Sequence, residues 1–148
     1  MRHSFLLFVL LVTPSVTVAQ APVCSEQKIQ AAVERASAKY SDDSFFWSGA
    51  FDKPLIGKSE EDAGLRKAEV DEPRKNQTGA DHPQRIVVAK SGDMAYEYGR
   101  GSVSYEVQKT GKHVTFEVAY LRVWKSAGGE CKVAAYMVKP IESTIQEK

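Results

Sequence analysis

The sequence predicts an α+β domain in which N-terminal helices pack on an antiparallel sheet. Three observations predict it. Residues 93–139 hold runs rich in Val, Tyr, Phe and Trp, broken by turns at Lys109-Thr110-Gly111-Lys112 and Ser126-Ala127-Gly128-Gly129. Such runs read as consecutive antiparallel hairpins. Ile29, Ala32, Val33 and Ala36 recur at helical spacing near the N-terminus. At 148 residues, one domain is the natural division.

In chain order, Arg2 and His3 precede the unbroken apolar run Phe5 to Val12, and Thr17-Val18-Ala19 supplies small residues for cleavage. This is the layout of a secretory signal peptide. The run is too short to cross a hydrocarbon layer of about 30 Å. A cut after Ala19 is expected, because a cut after Ala21 would leave Pro22 next to the scissile bond. Val23 before Cys24 argues against a lipidated N-terminal cysteine. Residues 20–148 then form the domain, exported to the periplasm or beyond, with no membrane span left after cleavage.

The whole chain has 20 Lys+Arg against 19 Asp+Glu, and residues 1–19 remove one of the basic ones, Arg2. A neutral domain without a basic stripe lacks the electrostatic footprint of a nucleic-acid binder. Cys24 and Cys131 are the two cysteines, and in an oxidising compartment they make a candidate disulfide. The other reading is two unpaired thiols, one at a frayed terminus and one in the core. Neither lies in a redox motif, and no histidine is near either in sequence.

Ser25 is placed to cap a helix running to Tyr40, which Ser41-Asp42-Asp43 would break. Ser44 to Ser48 reads as a short aromatic strand. Ser59 with Asp62 resembles a capping box and predicts a second helix to about Glu69. Val70 to Pro83 is polar, bounded by Pro73 and Pro83, and reads as a long connecting loop. Asn76-Gln77-Thr78 within it matches a glycosylation acceptor pattern.

Strands begin at Ile86. In the next strand Met94, Tyr96 and Tyr98 are even-numbered, whereas Val103, Tyr105 and Val107 are odd-numbered. Strict alternation cannot accommodate that switch, so a bulge is expected at Gly99-Arg100-Gly101, bending the sheet. In the following strand Val114, Phe116, Val118, Tyr120, Arg122 and Trp124 share a face. Ala119, Leu121 and Val123 make the opposite face apolar too, so both faces must be covered. Helices would cover one. A second copy of the chain, giving a homodimer, is expected on the other.

Tyr40-Ser41-Asp42-Asp43, Pro54 to Gly57, Ser91 to Tyr96, and Tyr120 to Trp124 with Gly129 and Lys132-Val133 together resemble the NTF2-like superfamily, in its SnoaL-like or DUF4440-type branch. The resemblance implies a cone-shaped fold, a curved antiparallel sheet closing over N-terminal helices around a pocket. It specifies function poorly, since the superfamily includes isomerases, dehydratases, hydrolases and non-catalytic binders. In its ketosteroid isomerase group an Asp base works with an oxyanion hole of Tyr and protonated Asp. By resemblance the base position falls on Ser48 and the oxyanion Asp on Tyr120, so that chemistry is not expected here. A serine hydroxyl without a neighbouring base does not abstract a carbon-bound proton at neutral pH.

The same comparison implies a ligand pocket walled by Phe46, Ser48, Phe116, Val118, Tyr120 and Arg122, with Tyr98 counted among them. It would suit a small apolar or aromatic molecule. That pocket is expected to lack a carboxylate. Binding without catalysis follows, and an isomerase, dehydratase or hydrolase using another acid is the alternative. His82 and His113 do not have metal-ligand spacing, so neither metal nor cofactor is expected.

Overall fold

The computed structural model describes residues 22–146. The expected signal peptide and its cleavage site lie outside the described residues. The first helix, α1, spans Glu26–Glu34. Ser25 caps it as expected, its Oγ accepting a hydrogen bond from the Lys28 N–H at 3.4 Å. The helix ends well before Tyr40. Ala36 adopts a left-handed backbone (φ 48°), the Ala36 N–H donates to the Val33 carbonyl, and the Ser37 N–H donates to the Ala32 carbonyl. This paired closure normally uses glycine, so an alanine at that position gave no stop signal to read.

Tyr40 therefore opens a strand, β1, Tyr40–Ser48, and Ser41-Asp42-Asp43 belongs to it rather than to a helix end. Ser41 and Ser44 are buried while Asp42 and Asp43 are exposed. Two residues of β2, Leu55–Ile56, lead into α2, Gly57–Asp71. Ser59 does not cap this helix. Glu60 instead accepts from the Ile56 N–H at 2.9 Å.

The polar segment expected as a loop is mostly an edge strand, β3, Arg74–Val88. Its residues from Lys75 to Ala80 are exposed, which explains the missing apolar alternation. Main-chain pairing to the next strand holds it, and Pro83 is tolerated because an edge strand has free main-chain donors and acceptors on one side. The remaining strands are β4 (Met94–Val107), β5 (His113–Ala127) and β6 (Glu130–Gln146). They form one sheet in the order β2-β1-β6-β5-β4-β3. The sheet is mixed, not wholly antiparallel, because β1 runs parallel to β6.

No bulge interrupts β4 against β5. The register is continuous from Met94↔Lys125 to Glu106↔His113. Odd-numbered residues of β4 face inward throughout. The extra residues lie on other strands: one of residues 76–77 and Gln84 on β3, and Ala134 and Ile141 on β6. Gly99 and Gly101 serve clearance instead. A Cβ on Gly99 would come within 2.2 Å of the His82 carbonyl oxygen and 2.9 Å of the Tyr120 hydroxyl. One on Gly101 would come within 2.6 Å of Asp81 Oδ1.

The core gathers at one end of the inner face, where Cys24, Ile29 and Val33 meet Ala95, Trp124 and Val133. Cys24 and Cys131 form the expected disulfide there. Among the described residues no helix is long and apolar enough to cross a membrane.

Candidate functional site

Beyond the end of α1 the inner face stops being filled. A cavity of about 530 Å³ opens between the end of α1 and the inner face of β3 to β6. Ala32, Val33 and Ala36 supply its apolar side, and Tyr40, Asp81, Arg122 and Tyr136 its polar end. Register explains the grouping. Arg122 pairs with Glu97 on one neighbour and Tyr136 on the other, and Asp81 sits opposite Gly101 on the β3 edge.

Arg122 is the centre of this arrangement and is buried. Its Nη1 donates to Glu97 Oε1 at 2.6 Å, and its Nη2 donates to Asp81 Oδ2. The guanidinium carbon lies 4.3 Å from the Tyr136 ring centroid and 5.0 Å from that of Tyr120, distances at which cation–π attraction operates. The Tyr136 hydroxyl donates to Asp81 Oδ2 at 3.4 Å.

Glu97 is fully buried and does not line the cavity. Its second oxygen, like the Tyr120 hydroxyl, has no hydrogen-bond partner among the described residues. Burial pushes the Glu97 carboxyl above its ordinary range, and the Arg122 charge only partly offsets this. Burial likewise pushes the Tyr40 phenol up to about 12 and raises those of Tyr120 and Tyr136, so all three keep their protons at neutral pH. Desolvation pulls on Arg122 in the opposite sense, but Tyr136, Glu97 and Asp81 outweigh it and hold the guanidinium charged.

Of the seven residues expected to wall a pocket, only Arg122 lines this cavity. Phe46 is on the inner face beside it, its ring 5.7 Å from that of Tyr136 and 5.9 Å from that of Phe51. Ser48 shares that face, and its Oγ accepts from the Ala50 N–H, closing a turn. Phe116, Val118 and Tyr120 are inward on β5, as the alternation required. Tyr98 is on the opposite face, exposed next to Leu121. The expectation of a carboxylate-free hollow is corrected by Asp81 in the cavity wall and Glu97 behind it. Asp81 was lost to view because its segment read as a loop. Glu97 was lost because Tyr96 and Tyr98 drew the inward assignment to the wrong parity.

The outer face is apolar. Trp47, Met94, Tyr96 and Tyr98 are substantially exposed there, and a groove of about 640 Å³ brings Trp47, Leu121 and Met137 together with Ser48 and Tyr120, two of the seven expected pocket residues. No group of three or more His, Cys, Asp or Glu among the described residues could hold a metal ion.

No protein-family profile and no curated protein matches the sequence. Solved structures do match by shape. A ketosteroid isomerase-like protein from Erwinia carotovora atroseptica is 20% identical, with 78% of this chain and 87% of that one covered at a TM-score of 0.57. A nuclear transport factor 2 (NTF2-like) superfamily protein from Salmonella enterica serovar Typhimurium is 12% identical, covering 78% and 85% at 0.59. A hexachlorocyclohexane dehydrochlorinase, LinA-type3, from Novosphingobium barchaimii is 11% identical, covering 78% and 80% at 0.56. The chain has the NTF2-like fold, with two helices and a six-stranded mixed sheet among the described residues. Structures sharing that fold include proteins described as isomerase-like and as dehydrochlorinases, so the fold by itself selects no reaction.

Proposed function

We propose that the protein is an exported member of the SnoaL-like or DUF4440-type branch that holds a small molecule with an apolar or aromatic body in the 530 Å³ cavity and does not transform it. In this reading the helices and sheet act as a cone around the ligand, and a homodimer forms through the apolar outer face. The observation that carries it is the mutual commitment of the polar groups. Asp81 is held by Arg122 and Tyr136, and Arg122 is held from behind by Glu97. Both terminal nitrogens of Arg122 already donate to carboxylates, and Asp81 Oδ2 is already shared between two donors, which leaves these groups little to offer a reacting substrate. Incubating the purified protein with a periplasmic extract and examining it by native mass spectrometry tests the reading. An unaltered small molecule retained by the protein is expected; turnover of an extract component would refute the non-catalytic part.

One observation favours a second reading, an isomerase, dehydratase or hydrolase. His82, exposed and next to Asp81 on β3, borders the same cavity and adds an imidazole beside that carboxylate. Asp81→Asn separates the two. An enzyme relying on that carboxylate would lose orders of magnitude in rate, whereas a binder would lose about tenfold in affinity, the effect of roughly one charge-assisted hydrogen bond.

A further inference from the structure

The cavity's polar end contains an arginine, which invites the idea of an anion-binding pocket. The geometry opposes that. Both terminal nitrogens of Arg122 already donate to carboxylates, and the rings of Tyr136 and Tyr120 lie against its guanidinium. Its remaining Nε is buried. An incoming anion would have to break a buried ion pair to reach it. Removing one partner from such a pair is strongly unfavourable, because the other charge is left buried and uncompensated.

What remains open to a ligand is of the other polarity. The Asp81 side chain keeps a quarter of its surface exposed, and Glu34, whose carboxylate accepts from Gln30 Nε2 at 2.7 Å, lines the α1 side of the same cavity. The Tyr136 hydroxyl spends its proton on Asp81. Among the Asp, Glu, Lys and Arg residues of the wall, Asp81 and Glu34 outnumber Arg122. If Glu97 is ionised the imbalance grows; if it is protonated the sign stays the same.

We propose that the ligand is a small organic amine in its protonated form, its ammonium seated against Asp81 and its apolar body between Ala32 and Val33 of α1, Ala36 just past it, and Val103 of β4. This rests on the ligand-binding reading above and adds the chemical class. The pairing works because an ammonium supplies donors to the Asp81 carboxylate, which Arg122 holds in place.

Benzylammonium, benzyl alcohol and benzoate share one ring and differ in charge, and they serve as probes. Each is titrated into the isotopically labelled mature protein at fixed ionic strength, with amide shifts followed by NMR. Benzylammonium is expected to bind at least about tenfold more tightly than benzoate, a difference of about 1.4 kcal/mol, and to shift the Asp81, Ser102 and Tyr136 amides. Asp81→Asn is expected to bring the two within about twofold. If that variant does not fold, exposed Glu34→Gln decides: a reduced amine preference supports the proposal, and an unaltered one opposes it. Equal affinity for all three probes, or preference for benzoate, overturns the amine proposal and leaves the cavity-binding reading standing. Absence of cavity shifts with every probe overturns both.

Discussion

Trp124 and Arg122 are successive inward residues of β5, yet they sit in opposite surroundings. Trp124 is almost wholly buried among Cys24, Ile29, Val33, Ala95 and Val133, under α1 and beside the disulfide. Two residues along, past the end of that helix, Arg122 is equally buried but surrounded by Glu97, Asp81 and two tyrosine rings, with a cavity in front. The difference follows from where α1 stops. While the helix covers the sheet, apolar side chains fill the space and no polar group is needed. Beyond the helix end at Glu34, the uncovered space is faced by charges that satisfy one another. One end of the face supplies stability and the other a place for a ligand.

The largest expected effects come from breaking each end separately. Trp124→Ala should cost about 3–5 kcal/mol in chemical denaturation, from lost burial plus the void left behind. Glu97→Ala should cost a similar amount, about 3–5 kcal/mol, because Arg122 keeps its charge in a buried place with one partner gone. The two ends should differ in rescue. Glu97→Leu combined with Arg122→Met should regain most of the loss, since an apolar pair of similar volume needs no counter-ion. If the double variant is no better than Glu97→Ala, the charges do more than balance each other.

Next in size is the disulfide at the apolar end. Replacing Cys24 and Cys131 together by Ala should lower stability by about 4 kcal/mol on the chain-entropy account of a loop this long. The cavity end should respond less, which amide exchange protection would resolve residue by residue. Gly101→Ala acts at the cavity end alone. Its Cβ would meet Asp81 Oδ1 and the Ala80 carbonyl, so a cost of about 1–3 kcal/mol and a displaced Asp81 are expected. Gly128→Ala is its control, since nothing lies within 4 Å there and only the left-handed backbone is strained, at about 1 kcal/mol.

The smallest effect is in pH dependence. Burial raises the Glu97 carboxyl above its ordinary value of 4.5, so the folded chain holds that proton more tightly than the unfolded one. The corresponding stability is fully present below about 4.5 and is lost as pH rises through the raised value. Glu97→Gln mimics the protonated acid. Denaturation midpoints of the parent should therefore fall relative to this variant as pH increases over that window. A parallel pair of curves would show that Glu97 is ionised as readily as an exposed carboxylate.

The second and third hairpin strands, the inward face of β5 from Phe116 to Trp124, the Ser25 cap and the cysteine pair were all legible in the residues. Each rests on a local signal: alternation, a capping side chain, or a count of two. The edge strand β3, the inward parity of β4 and the Glu97–Arg122–Asp81 contacts were settled only by the tertiary structure. Periodicity marks which residues are apolar, and when both faces of a sheet are apolar it no longer says which face looks inward. The ion pairs join residues 25 and 41 positions apart, so they depend on strand register. That register is set by the continuous β4–β5 pairing and by the extra residue at Gln84, and neither has a signature in its own neighbourhood.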